Sequence, residues 1–549
     1  MGSQDSAAEA PRPRRELTLL PSLGAFLVSA GLFLAHAAFL FPLHLDDPYI
    51  TFRYGRNLAR GDGLVWNVGE APVEGFTSHA WVALAALAEA SGSPPLLVAK
   101  LAGLAAGLLV LAVLAFGTRR LLPNASDRLA AALLLAASTS FVSMSVSGME
   151  NVAFAAAASL LIPLLGPWDA PDAAGQVTPR RAALAGLLSG LLVTIRPEGH
   201  VFVAVLLGAL AFAARETRER RPLVAAGVAA GAVLVPFHVF RLATFGSLVP
   251  LTYLAKHTGE PFLERVASGL RWLGERGGPL LPIFFLALLS ALVLLRGRAA
   301  RASAALLAVF PAYAVAVGGD SSAFPGARLL LPALPFAAAL AVAAVRRVTG
   351  GGVRAAAFSG LLPASFARAQ VPDMTSLRRG PAPDRRSGAA GGPARAAFDH
   401  LAELLDPRPL RLSSYLVVAT PPGERIAVPW AGRVPYETGL ATVDMLGLND
   451  AHIARLPKLD RGVDVKYDPD YVLSKRPWYV CENFVLGGVP VTALARLSDD
   501  QLARLGAFRA GQRALLRSPL LARDYEVDGG IPNSAGGSIT CFRRREPAR

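Results

Sequence analysis

Ten apolar runs divide the first two thirds of the chain, near residues 18–43, 97–118, 128–147, 150–166, 182–196, 199–214, 222–240, 279–296, 302–317 and 328–346. A helix needs roughly 20 apolar residues to cross a bilayer, and most of these runs approach that length. The pattern predicts a polytopic α-helical membrane domain over residues 17–350, preceded by a basic cytoplasmic N-terminus at 1–16. The first run is too long for a signal-peptide core and reads as an uncleaved membrane helix. The polar clusters between runs sort by side. With "PRPRR" (11–15) in the cytoplasm, alternation puts Arg119 and Arg120, "PRR" (179–181), "RETRERR" (215–221), "RGRAAR" (296–301) and Arg346 with Arg347 on the same side. Cytoplasmic loops carry such an excess of arginine and lysine.

The opposite face receives the distinctive polar residues: Asp46, Asp47, Glu74, Glu150, Arg196, Glu198, Lys256, Asp320 and Arg328. Any site in the membrane half is therefore to be sought there. Residues 351–400, with "RRGPAPDRRSGAAGGPAR", read as a linker rich in Pro, Gly, Ala and Arg. A weakly apolar stretch within it, 354–369, is a candidate eleventh and last membrane helix. Residues 401–549 read as a soluble α/β domain, with strands expected at "YLVVAT", "RIAVPW", "ATVDML" and "DYVLSK" and helices near 395–405 and 449–457. Ten spans leave that domain in the cytoplasm; an eleventh carries it outside, which is the expectation adopted here.

Composition agrees with the membrane reading. Hydrophobic residues make up 53% of 549 and charged residues only 17%, where a soluble protein has about 25% charged. Mean hydropathy is +0.42. The net charge of +15 lies in short inter-helix clusters, which argues for loop topology rather than nucleic acid. Cys481 and Cys541, the two cysteines, form no CxxC or zinc-like spacing. They are reduced buried thiols, or a disulfide if the domain lies outside. No Walker loop, GxGxxG, GxSxG or HExxH occurs, so nucleotide-driven transport and the usual hydrolases have no support. "NAS" (124–126) matches a glycosylation sequon at a cytoplasmic loop and reads as chance.

The acidic pair Asp46-Asp47 follows directly on the first span. Adjacent carboxylates there suit a general base or oxygen ligands for a divalent cation. An Asp-Pro step past a helix is also an ordinary turn or helix-start signal. Glu150 and Glu198 stand at helix ends, where a carboxylate can be merely an interfacial cap. Arg196, Lys256 and Arg328 suit a phosphate or snorkelling anchors, but positive charge on that face runs against the trend of the chain.

Several stretches together resemble the polyprenyl-phosphate-dependent membrane glycosyltransferases of GT-C type. They are most similar to the arabinofuranosyltransferases that add terminal β-(1→2)-linked arabinofuranose to mycobacterial and corynebacterial arabinan. "DDPYITFRYGRNLARGDGLVWNVGEAPVEGFT" (46–77) matches that family's first loop, with Phe76 in place of Tyr. "SGMEN" (147–151), "RPEG" (196–199), "GSLVPLTYLAK" (246–256, Leu251 replacing Asn), "GGDSSAFPGARLLLPALP" (318–335) and "AVPWAGRVPYETGLATVDMLGLNDAHIAR" (427–455) follow in order. The resemblance implies an inner-membrane enzyme with its site on the outer face. It implies a polyprenyl-phosphate sugar donor, a cell-envelope glycan acceptor, one inverting displacement through an oxocarbenium-like state, and no nucleotide.

By the same resemblance, Asp47 is the base, with Asp46 supporting it or holding a divalent cation if one is used; no cofactor is otherwise required. Arg196, Lys256, Arg328 and Arg53 are assigned to the donor phosphate. Glu74, Glu150, Glu198, Asp320, Tyr49 and Tyr253 are assigned to sugar, acceptor or orientation. Competing readings are transfer of mannose or another hexose, a glycan or lipid carrier whose acids line a passage, and a non-catalytic scaffold.

Overall fold

The structure, a computed structural model, describes residues 19–349 and 410–546, apart from 44, 166–176, 279, 295–297, 321–326, 459–465, 485, 487, 508 and 533–537. The N-terminus 1–16, the linker 351–400, the candidate span 354–369 and the expected helix 395–405 lie outside the described residues.

All ten apolar runs are helical. Among the described residues five helices are long and apolar enough to cross a membrane: Leu20–Leu40, Pro95–Gly117, Gly199–Thr217, Arg221–Phe245 and Arg328–Thr349. The pair Ala125–Ala136 and Thr139–Val146, bent by 62° at its break, meets the same test when taken together, as a broken span or a re-entrant loop. Ser138 causes that break, because its hydroxyl accepts from Phe141 N–H and starts a new helix. The other runs form helices outside that set, including Asn151–Ser159, Pro179–Ile195, Leu281–Leu289 and Arg298–Ala316. Leu281–Leu289 passes into a π-turn and Arg298–Ala316 contains Pro311, and Leu184, Leu191 and Phe285 remain exposed on this set of helices. Broken helices are tolerated at membrane depth where neighbouring protein covers the backbone.

The Arg328–Thr349 helix is the axis of this half, with every residue of its apolar window buried. Its sequence "FAAALAVAAV" explains why. Small side chains let neighbouring helices approach closely where no hydrophobic effect drives them together. The bundle has two polar ends. At one, Arg346 pairs with buried Asp127 at 2.9 Å, and Arg128 reaches Ser22 at 3.2 Å. At the other lie Asp47, Met149 and Arg328.

The C-terminal domain is a mixed five-stranded sheet in the order β2-β1-β3-β5-β4, with β1 Arg425–Val428, β2 Ala441–Asp444, β3 Tyr479–Glu482, β4 Tyr525–Pro532 and β5 Ser538–Arg544. β1 runs parallel to β2 and β3, while β5 is antiparallel to β3 and β4. Two of the four expected strands are β1 and β2. The other two are helices. "YLVVAT" ends the helix Arg411–Ala419, which buries Leu412 and Leu416 at helical spacing and leaves Val418 exposed. "DYVLSK" falls in Pro469–Ser474, where Asp468 accepts from Tyr471 N–H and Pro469 opens the first turn. In both cases local capping and a 3.6-residue period outweigh β-branched composition.

Cys481 and Cys541 face each other across β3 and β5 and are joined by a disulfide. With a sequence separation of 60, chain-entropy arguments give a contribution of about 4 kcal/mol. Serine at either position is expected to lower the denaturant midpoint of the domain accordingly. An unchanged midpoint under non-reducing conditions would mean the bond contributes nothing.

Candidate active site

The second helix, Asp47–Arg60, starts where the chain leaves the first span, with Pro48 in its first turn and Gly61 ending it at φ 87°. That positive φ suits glycine and stops the helix cleanly. Asp47 is its first residue, and the side chain keeps 48% of its surface exposed. One carboxylate oxygen stands 3.5 Å from Arg328 Nη1. Arg328 is held from behind by Asp320, through Nη2 at 2.8 Å and also through Nε, and Met149 Sδ lies 3.3 Å from Nη1. Asp47 is thus aimed by a buried guanidinium and still open to solvent, the combination a proton acceptor requires.

Arg196 forms a second centre beside it. The residue before a proline is pushed toward extended backbone, and Arg196 at φ −152°, ψ 146° ends the helix Pro179–Ile195 ahead of Pro197. Its guanidinium grips Glu198 at 3.1 and 2.9 Å and bonds Glu150 through Nη1. All three residues are buried. The Tyr313 hydroxyl bonds Glu198, which also lies within electrostatic reach of Arg328. The two centres therefore adjoin, with four carboxylates (Asp47, Asp320, Glu150, Glu198) set against two guanidiniums (Arg196, Arg328).

Lys256 is different. It is half-buried on the short helix Leu251–His257 and makes no ion pair among the described residues. Tyr253, one turn earlier, is 45% exposed, packs against His257 with ring centroids 4.6 Å apart and couples electrostatically to Tyr313. That places the lysine's helix alongside the Arg196 cluster.

The remaining candidates lie elsewhere. Glu74 is buried against Arg241 at 2.8 Å and stands 3.6 Å from His79, tying the first loop to the helix Arg221–Phe245. Arg53 is buried and donates to Trp66 O, Pro435 O, Leu440 O and Asn67 Oδ1. Tyr49 packs between Phe52 and Tyr436 beneath Arg433. Asp46 turns away from Asp47, and its two oxygens accept from Gly432 N at 3.0 Å and Arg433 N at 2.6 Å. Among the described residues no group of three or more His, Cys, Asp or Glu is arranged to hold a metal ion.

The first loop and the C-terminal domain form one polar seam. Asn67 bonds Thr442 through both N–H and C=O at 3.0 Å, in the manner of a strand pair. Tyr436 donates to Glu89 at 2.6 Å. Asn449 accepts from Tyr54 at 3.1 Å, and its side chain fills the space a Cβ at Gly75 would occupy. Asp444 orders the Asn449 loop, accepting from Asn449 N–H at 2.8 Å and Leu446 N–H at 3.0 Å. Burial pushes its carboxyl up to about 6, against the pull of those amides. Gly75→Ala is expected to separate the seam and cost about 1–3 kcal/mol by overpacking, read as a lower melting temperature of the detergent-solubilised protein.

Sequence reading passed over Tyr313, Met149, Gly432 and Arg433. Tyr313 alone left a signal, as an isolated hydroxyl in "VFPAYAVA".

The fold has a counterpart in the crystal structure of ArnT from Cupriavidus metallidurans bound to undecaprenyl phosphate. The TM-score is 0.50 at 15% identity, over 96% of this chain and 97% of that one. The GT-C-type architecture expected from sequence is therefore present. A terminal beta-(1->2)-arabinofuranosyltransferase of Mycobacterium tuberculosis is 32% identical over 219 residues. The match takes in 38% of this chain and 34% of that protein, so the chain spans about a third of that relative's length. A family model described as a domain of unknown function (DUF8728) matches residues 402–528.

Proposed function

We propose that this protein is an integral-membrane glycosyltransferase of the outer face of the bacterial plasma membrane. It moves a sugar, arabinofuranose as first choice, from a polyprenyl-phosphate donor to a hydroxyl of a cell-envelope glycan. The observation that carries the reading is the Asp47 carboxylate, half exposed at the membrane edge and aimed by Arg328. Asp47 takes the proton from the acceptor hydroxyl as its oxygen bonds the anomeric carbon. The bond from that carbon to the phosphate oxygen breaks on the opposite side, inverting the centre and releasing polyprenyl phosphate.

Negative charge gathers on the departing phosphate, where a fixed cation contributes most. Lys256 supports that role because among the described residues it forms no ion pair. Arg328 offers Nη1, its less engaged nitrogen. Arg196, with every nitrogen given to a carboxylate, serves instead to hold Glu150 and Glu198 toward the sugar hydroxyls. Lys256→Met is expected to lower kcat about 10–100-fold, the scale of losing one group that stabilises transition-state charge. Initial rates at saturating donor test this, and an unchanged rate would remove Lys256 from the phosphate site.

The outer-face assignment is supported by the arginine clusters at the Asp127 end of the bundle and by a disulfide in the domain that meets Asp46. The deciding assay gives purified protein a polyprenyl-phospho-arabinofuranose analogue and a short arabinose oligosaccharide. One added pentose by mass spectrometry is the expected product. Transfer only from another polyprenyl-linked sugar would change the donor, and no transfer from any would overturn the reading in favour of a carrier or scaffold.

A further inference from the structure

The two adjacent aspartates point in different directions, and the first of them, Asp46, meets Gly432, 386 residues further along the chain. Asp46 does not cap its own helix. Its oxygens accept from the N–H groups of Gly432, the cap residue, and Arg433, the first residue of the short helix Arg433–Thr438 in the C-terminal domain, at 3.0 and 2.6 Å. An anionic acceptor at a helix N-terminus satisfies backbone donors that otherwise face solvent. The approach depends on glycine: a Cβ at Gly432 would lie 2.0 Å from the Asp46 carbonyl oxygen and 2.6 Å from its Cγ. A second grip lies across the site. Lys466, buried in the same domain, donates to Leu254 O at 2.8 Å and to Ala454 O. Leu254 belongs to the helix that carries Lys256, and Leu251 and Ala255 of that helix pack on Ala454.

We propose that the C-terminal domain is a positioning element of the site, clamping the residue beside the base through the Gly432–Arg433 amides and the helix that carries Lys256 through Lys466. The inference rests on the glycosyl-transfer reading and refines it: Asp46 is a positioning residue, and the domain sets the distance between base and phosphate cation. A misplacement of about 1 Å can cost a factor of about 100 in rate without loosening substrate. The effect therefore falls on kcat rather than KM.

The test uses the full-length protein in detergent with three variants, Asp46→Ala, Asp46→Asn and Gly432→Ala. Asp46→Ala and Gly432→Ala are expected to lower kcat about 10–100-fold, with donor KM within about 3-fold of wild type. Asp46→Asn keeps one acceptor oxygen and is expected to lose less than Asp46→Ala, a grading that a general loss of fold would not give. Hydrogen exchange, read by mass spectrometry on a peptide spanning 429–440, is expected to accelerate in Asp46→Ala. That arm reports the clamp whether or not the wild type transfers sugar, so failure of the function and failure of the clamp are told apart. Unchanged exchange overturns the clamp. Faster exchange with unchanged kcat, or equal losses in kcat, KM and melting temperature in all three variants, overturns the positioning role.

Discussion

Asp47→Asn is expected to reduce transfer at least about 100-fold, the lower bound for removing a general base, with donor KM within a factor of about 3. Asparagine has the shape of aspartate and keeps an oxygen for Arg328, but it cannot take the acceptor's proton. Arg328 would not be stranded, because Asp320 holds it on two other nitrogens. The side chain is 48% exposed, so stability should change by no more than about 0.5 kcal/mol. The variant therefore separates chemistry from folding: a normal melting temperature with a lost rate identifies the base. If Asp47→Asn turns over within a factor of about 3 of wild type, the proton goes elsewhere, and the half-exposed carboxylate is only a counter-ion to Arg328.

The parts of this protein legible in its sequence are those encoded by short range and strong contrast. Runs of about 20 apolar residues announce helices whatever they pack against, and all ten were helical. Arg196 and Arg328 stood out because each sits at the end of an apolar run, and both are buried against carboxylates. What failed to show depended on contacts across hundreds of residues. Asp46 and Asp47 are chemically identical neighbours, yet one faces Gly432 and the other Arg328. Nothing within the acidic pair distinguishes them. Arg53 reads like a phosphate ligand until the carbonyls of Pro435 and Leu440 are seen to occupy it. The helix Arg411–Ala419 was hidden because "YLVVAT" carries the β-branched residues of a strand, and only the sheet beneath shows which period is buried.

Arg196→Met is expected to be the most destabilising single change in the membrane half, at about 3–5 kcal/mol, the cost of breaking a buried ion pair from one side. The guanidinium is the shared partner of Glu150 and Glu198, whose side chains are each only 5% exposed. Removing it leaves two buried carboxylates without the guanidinium they share. Arg196→Lys should recover only part of the loss, since an ammonium cannot present the fork that meets Glu198 twice while reaching Glu150. The decisive variant adds Glu150→Gln and Glu198→Gln to Arg196→Met. Neutral amides remove the stranded charges, so the triple variant is expected to be more stable than Arg196→Met alone. That sign is possible only if the residues act as one unit. Unfolding midpoints in detergent measure it. A triple variant no more stable than Arg196→Met would mean that the carboxylates do not depend on the arginine. In that case Arg196 would be free to leave them for the donor phosphate, and its assignment would return from holding the acids to binding the lipid.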